Sequence, residues 1–288
     1  KNETLTKRTV KGIIKPDWVS DGAGVRIKRV IASSKLDHVD PFLLLDEFKS
    51  DNADDYIAGF PMHPHRGIET VTYMLAGQIK HEDSLGSSGV VGPGDVQWMT
   101  AGSGIIHSEM PEQKDGLMWG FQLWVNLPAK DKMTNPRYQD IPFHNIPRVD
   151  LNGGGEVRVI AGKFEGETGP IQNVAANPIY LDVTAPGRTK FNLDLPRGHS
   201  AVAYVFDGTA EFPGAGGSGR NIGPSELVVL SDGDFVEAHT GRNPARFLLL
   251  AGKPFNEPIV RYGPFAMNTA EEIQTAFKDY NQGRFVAL

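Results

Sequence analysis

Cysteine is absent from all 288 residues. That excludes disulfides, thiol nucleophiles and cysteine-ligated zinc or iron–sulfur clusters, so any metal must be held through nitrogen and oxygen. Long apolar runs are also missing: no stretch approaches the roughly 18 residues of a membrane span. The first residues, Lys1-Asn2-Glu3, show no apolar leader core. The expectation is a soluble, cytoplasmic protein. Basic clusters are lacking too, with 29 Lys and Arg outnumbered by 35 Asp and Glu for a formal net charge of -6. No basic stripe is available for a phosphate backbone, which disfavours direct nucleic-acid binding. Gly22-Ala23-Gly24 and Gly102-Ser103-Gly104 are not followed by helical patterns and read as turns rather than phosphate loops.

Turn residues are abundant. Thirty-three glycines and 20 prolines punctuate short apolar stretches, with turn signals about every 8 to 12 residues, the rhythm of sandwiches and barrels. Strands are expected at Val25-Ile31, Gly67-Leu75, Gln78-His81, Val96-Thr100, Ile105-Met110 and Met118-Leu127. In the last of these, Trp119, Phe121, Leu123 and Val125 alternate with other residues and mark one buried face. The pattern lapses between Pro128 and Asp150, which places an inter-domain connection there and divides the chain into 1–138 and 139–288. Strands then resume at Val157-Ala161, Ile179-Val183, Ala201-Phe206, Glu226-Leu230, Phe235-His239 and Arg246-Ala251, so the second half looks like a copy of the first. One helix is expected, with Thr269 and Glu272 as a capping box and Ile273, Ala276, Phe277 and Tyr280 as its apolar face.

Against this background four residues stand out: His63 and His65, then His107 and Glu109. On a strand, positions i and i+2 project to one side, so each pair can aim two ligand atoms at one point. Two such strands packed face to face would close a cage. Imidazole nitrogen plus carboxylate oxygen suits iron(II), manganese, nickel, copper(II) or zinc. Glu69 is a competing carboxylate, and spacing alone leaves both open. Either pair alone could be a polar loop or a solvated strand edge; the two together match the two-part cupin pattern. Aligning the halves by their turns puts Asp194, Pro196, Ser200 and Arg246 where His63, His65, Glu69 and His107 stand, so one metal is expected, in the amino-terminal barrel. His38, His81, His144, His199 and His239 read as ordinary surface or structural histidines. Trp98, Trp119 and Trp124 read as barrel core.

The strings Gly59-Phe60-Pro61-Met62-His63-Pro64-His65-Arg66-Gly67, Gly94 to Gly102 and Gly104-Ile105-Ile106-His107-Ser108-Glu109-Met110-Pro111 resemble the pirin family of bicupins. The likeness continues through Leu43-Leu44-Leu45-Asp46-Glu47-Phe48, Gln122 to Pro128 and Leu249 to Pro254, and so spans essentially the whole chain. It implies an all-β fold of two tandem cupin barrels (jelly rolls, or double-stranded β-helices) with a short carboxy-terminal helix, and a metal held by His63, His65, His107 and Glu109. It further implies quercetin 2,3-dioxygenase activity on a flavonol and dioxygen, with iron(II) as the leading ion and Mn, Ni, Cu or Zn compatible. Glu109 is the expected catalytic base, and Glu69 takes a supporting role. A monomer is expected. The competing reading is a redox-sensitive metal-binding regulator acting through a protein partner, either a transcription co-regulator or a modulator of a metabolic enzyme.

Overall fold

Short strands separated by glycine and proline turns account for most of the chain, and the computed structural model describes residues 3–287. In chain order the first twelve strands are β1 (Val10–Ile14), β2 (Asp17–Asp21), β3 (Val25–Ile31), β4 (Phe42–Ser50), β5 (Phe60–His65), β6 (Ile68–Ala76), β7 (Ile79–Asp83), β8 (Ser88–Val91), β9 (Val96–Thr100), β10 (Ile105–Pro111), β11 (Met118–Asn126) and β12 (Arg137–Ile141). Strands β2 to β12 build one barrel unit from a seven-stranded sheet, order β12-β9-β6-β11-β4-β3-β2, and a four-stranded sheet, order β5-β10-β7-β8. The second unit repeats this scheme with a seven-stranded and a four-stranded sheet of its own. These are the two cupin barrels implied by the motif pattern.

The units are not the contiguous blocks 1–138 and 139–288. One consists of Asp17–Phe143 with Phe255–Leu288, the other of Lys1–Pro16 with His144–Pro254. Two local causes account for this. Strand β1 pairs with Glu226–Leu230, taking in its sheet the edge position that β12 takes beside β9. Arg8, 1% exposed, anchors that segment by donating to the carbonyls of Gly233, His199 and Pro196. At the other end, helix α1 (Ala270–Asn281) is capped by Thr269, whose hydroxyl accepts from the Glu272 amide, and buries Ile273 and Ala276. With Phe265, Met267 and Phe285 these form an apolar cluster against Ile106, next to His107.

The two barrels differ in what lines them. In the first unit, Arg29, Asp46, Gln122, Thr72, Gln97 and Asp140 are successive cross-strand partners on six neighbouring strands. Directly opposed residues share a face, so a polar row crosses the sheet. A comparable row in the second unit reads Val159, Leu181, Leu249, Ala203 and Val228, all buried in one core with Phe191, Phe212 and Phe247. Burying each valine, leucine or phenylalanine there stabilises by about 1.5–3 kcal/mol, and together these side chains fill the core of the second barrel.

The turn-based alignment of the halves also needs correction. The strand after Gly233-Asp234, Phe235–Thr240, pairs with Lys190–Asp194 as β10 pairs with β5. It is therefore the counterpart of β10, and Arg246 is not the counterpart of His107. Arg246 lies on Ala245–Gly252 and binds Asp182 through two nitrogens, at 3.0 and 2.7 Å. Similar glycine-aspartate turns misled the alignment, because turn chemistry recurs at every strand junction.

Candidate metal centre

His63 and His65 lie on β5 and His107 on β10, and these strands are hydrogen-bonded neighbours in one sheet rather than opposed walls. His107 stands opposite His63, and Ile105 opposite His65. Pro61 and Pro64 interrupt β5 as ladder donors, which is tolerated because β5 is an edge strand. The register shift between His107 and Glu109 puts the extra residue on β5, while β10 keeps continuous register with β7.

The three rings converge, with centroids 4.5 to 5.1 Å apart, and one ligand nitrogen from each lies within 4.8 Å of the others. Two backbone carbonyls set the tautomers. His63 Nδ1 is 2.7 Å from the Pro61 oxygen and His65 Nδ1 is 3.3 Å from the Pro264 oxygen, so each Nδ1–H donates and each Nε2 keeps a bare lone pair. Those two Nε2 atoms are 3.0 Å apart. Two lone pairs at that separation repel unless a cation lies beside both, and ~3 Å is the spacing of two nitrogens bound at ~2.1 Å and a right angle. Both ring nitrogens of His107 are buried without a partner among the described residues, an unsatisfied arrangement that a metal bond relieves. Burial and the neighbouring His63 push the His65 imidazole down to about 3. Burial, then His65 and His63, hold His107 well below its usual range. Both are neutral at pH 7, the form that ligates. The donor set fits a first-row divalent ion.

Glu109 is buried beside this cluster without entering it. Its carboxylate accepts from the Thr72 hydroxyl at 3.3 Å. Burial raises its pKa, partly opposed by His63 and the Thr72 bond. Glu69 is elsewhere: three residues from Thr72 on β6, it points to the opposite face, where Trp98 Nε1 and Thr100 Oγ1 donate to it at 3.0 and 2.6 Å. Its apparent parity with His65 is lost at Gly67, whose φ of +83° breaks the alternation between β5 and β6. His81 is buried opposite Glu109 and stacked on Tyr138, outside the cluster. His38 is paired with Asp37, and His239 with Glu237. The described residues contain this one group of three metal-capable side chains.

The centre opens into a cavity of about 830 Å³, lined by His63, His65 and Glu109 together with residues not singled out as site candidates in the sequence. Trp124, read as core, instead lines the cavity and meets His65 edge-on at 5.3 Å. Ile27, Leu44 and Phe48 add apolar wall, while Arg29, Asp46 and Gln122 add polar groups. Tyr262 and Pro264, from the carboxy-terminal segment, complete the lining. Asp46 stands beside Glu47 after three leucines, and only its place on the strand separates the two acids: Asp46 lines the cavity and Glu47 does not. Among the described residues no helix is long and apolar enough to cross a membrane.

Family models extend this picture to known proteins. Residues 24–125 match the model described as Pirin, and 180–286 the model described as Pirin C-terminal cupin domain. A Pseudomonas aeruginosa protein, whose name provisionally assigns it as a quercetin 2,3-dioxygenase, is 49% identical over 92% of this chain and 93% of its own. A pirin-like protein of Caulobacter vibrioides is 46% identical over 96% of this chain and 99% of its own. The crystal structure of a quercetin 2,3-dioxygenase from Acinetobacter baumannii superposes with a TM-score of 0.88 at 33% identity, covering 97% of this chain and 99% of that one.

Proposed function

Because this chain belongs to the pirin family, we propose that it is a metal-dependent dioxygenase opening flavonols such as quercetin, with His63, His65 and His107 holding one divalent ion and Glu109 completing the set. The observation carrying this reading is the pair of bare Nε2 lone pairs 3.0 Å apart, beside a buried carboxylate at the end of a large, partly aromatic cavity. A divalent ion held there, iron(II) first among those the nitrogen and oxygen donors suit, would supply Lewis-acid and redox chemistry toward flavonol and dioxygen. Overall, dioxygen is consumed and carbon monoxide leaves as the heterocycle opens.

The chain's own residues handle the proton and the geometry. Glu109 takes the proton of the flavonol 3-hydroxyl, and burial, by raising its pKa, favours keeping that proton. The Thr72 hydroxyl lies 3.3 Å from the Glu109 carboxylate and 2.8 Å from Gln122 Oε1, and its single hydrogen, shared between the two, orients both. Trp124, Leu44 and Phe48 hold the flat rings and exclude water. The Pro61 and Pro264 carbonyls keep the histidine tautomers ready.

The test is metal-loaded, anaerobically prepared protein given quercetin and then oxygen, following flavonol absorbance and carbon monoxide. Turnover is expected with the wild type. Glu109→Gln should bind metal yet slow turnover by about 10²- to 10⁴-fold. No turnover with any first-row ion, or a fully active Glu109→Gln, would overturn the assignment.

A further inference from the structure

The polar row across the first barrel has two ends with different chemistry. Thr72, which touches Glu109, marks the metal end. Asp46 lies two strands away along the same row, and with strands ~4.8 Å apart that places it about 10 Å off. There Arg29 donates from Nε to Asp46 Oδ1 and from Nη2 to Oδ2, both at 2.9 Å, and from Nη2 to Asp21 at 2.6 Å. Nη1 has no partner among the described residues. All three residues line the cavity.

The accounting at this end is specific. Two carboxylates face one guanidinium, so an anionic ligand tail is repelled. Each Asp46 oxygen accepts once from Arg29 and retains a second lone-pair site. A group that both donates to a carboxylate and accepts from a guanidinium nitrogen fits, and a neutral phenolic hydroxyl does both. Leu44 and Phe48 share the face of Asp46 on β4, and Ile27 shares that of Arg29 on β3. Gln122 stands between the two ends within the row, but the walls on either side of the charged end are apolar and suit an aromatic ring.

We propose that the Arg29–Asp46 pair is a far-end subsite that reads hydroxyl groups on the outer ring of the substrate, so that this enzyme selects flavonols hydroxylated there. The proposal rests on the flavonol reading above.

Binding is measured anaerobically, by calorimetry on metal-loaded protein, for galangin, kaempferol and quercetin. These share the reacting ring and carry none, one and two outer-ring hydroxyls. Affinity should rise along the series, with quercetin about tenfold or more tighter than galangin. The 3′,4′-dimethyl ether of quercetin keeps the shape but loses the donors, and should bind no better than galangin. In the double variant Arg29→Met, Asp46→Leu, which leaves no unpaired buried charge, the preference should collapse to within about threefold. Equal wild-type affinities, a dimethyl ether as tight as quercetin, or a preference surviving in the double variant overturns the subsite while leaving turnover to judge the enzyme reading. Failure of all three flavonols to bind refutes the flavonol reading itself.

Discussion

Replacing Arg66 with methionine removes a side chain that ties both ligand-bearing strands to the carboxy-terminal segment. Arg66 follows His65 and is 3% exposed. Its Nε donates to the Ser103 carbonyl, in the turn that leads into β10. Its Nη1 binds Asp279 of α1 at 2.9 Å, and its Nη2 reaches the Phe285 carbonyl at 3.4 Å. The guanidinium also lies 4.5 Å from the centroid of the Phe285 ring. Methionine fills much of the volume but leaves two carbonyls unpaired, at about 1 kcal/mol each. The ion pair adds about 1 kcal/mol, because the Asp279 side chain is 26% exposed and its charge can rehydrate. The expected loss is about 3 kcal/mol, a fall in melting temperature of about 6–12 °C for a unit of this size. Since the lost bonds fix the spacing of β5 and β10, metal affinity should also fall by about 10- to 100-fold. Thermal unfolding of metal-free protein and competition with a chelator measure the two effects. Wild-type stability together with wild-type metal affinity would refute the reasoning.

Other perturbations test other parts of the molecule. Lys132, 1% exposed, donates to the Gly67 and Ala266 carbonyls and to Asn126 Oδ1, so Lys132→Met should cost about 2–3 kcal/mol in denaturant titrations. Burial lowers the Lys132 ammonium from its usual 10.5 to about 8. The unfolded chain then binds the extra proton between these values, so this group's contribution to stability should rise with pH from about 8 to 10.5 in the wild type and be absent from the variant. Glu237 is held down from 4.5 to about 2 by Lys190 and Lys7, so its stabilisation is present above 4.5 and lost as pH falls toward 2. Glu237→Gln should remove about 1 kcal/mol of that acid sensitivity, the exposed lysines limiting the size. Phe247→Ala, in the filled second barrel, should cost about 3–5 kcal/mol and leave metal binding by the first barrel unchanged. Loss of metal binding there would contradict the placement of the centre.

Much of this was legible residue by residue. Alternation located Val25–Ile31, Val96–Thr100 and Glu226–Leu230 to the residue, and the Thr269 cap located α1, because strand period and helix capping are local properties. The histidine pairs were visible for the same reason. The strand reading of His63 and His65 holds, but the two ligand-bearing strands are neighbours in one sheet and not facing walls; Pro61 and Pro64 are permitted by the edge position of β5. Glu69 looked equivalent to Glu109 until Gly67 reset the alternation. The boundaries near 138 failed at both ends of the chain, because strand exchange by β1 and anchoring of Phe285 depend on partners more than two hundred residues away.

By itself the sequence determined the donor chemistry, the duplicated β architecture and the confinement of the histidine pairs to the first half. Only the tertiary structure decided that the Nε2 lone pairs of His63 and His65 meet beside an unpartnered His107, and that Glu109 rather than Glu69 shares their cavity. It also decided that Arg29, Asp46, Gln122 and Thr72 stand in one row. The physical reason is register: alternation says which residues share a face of one strand, but which faces meet across strands is settled by long-range hydrogen-bond pairing that no local pattern encodes.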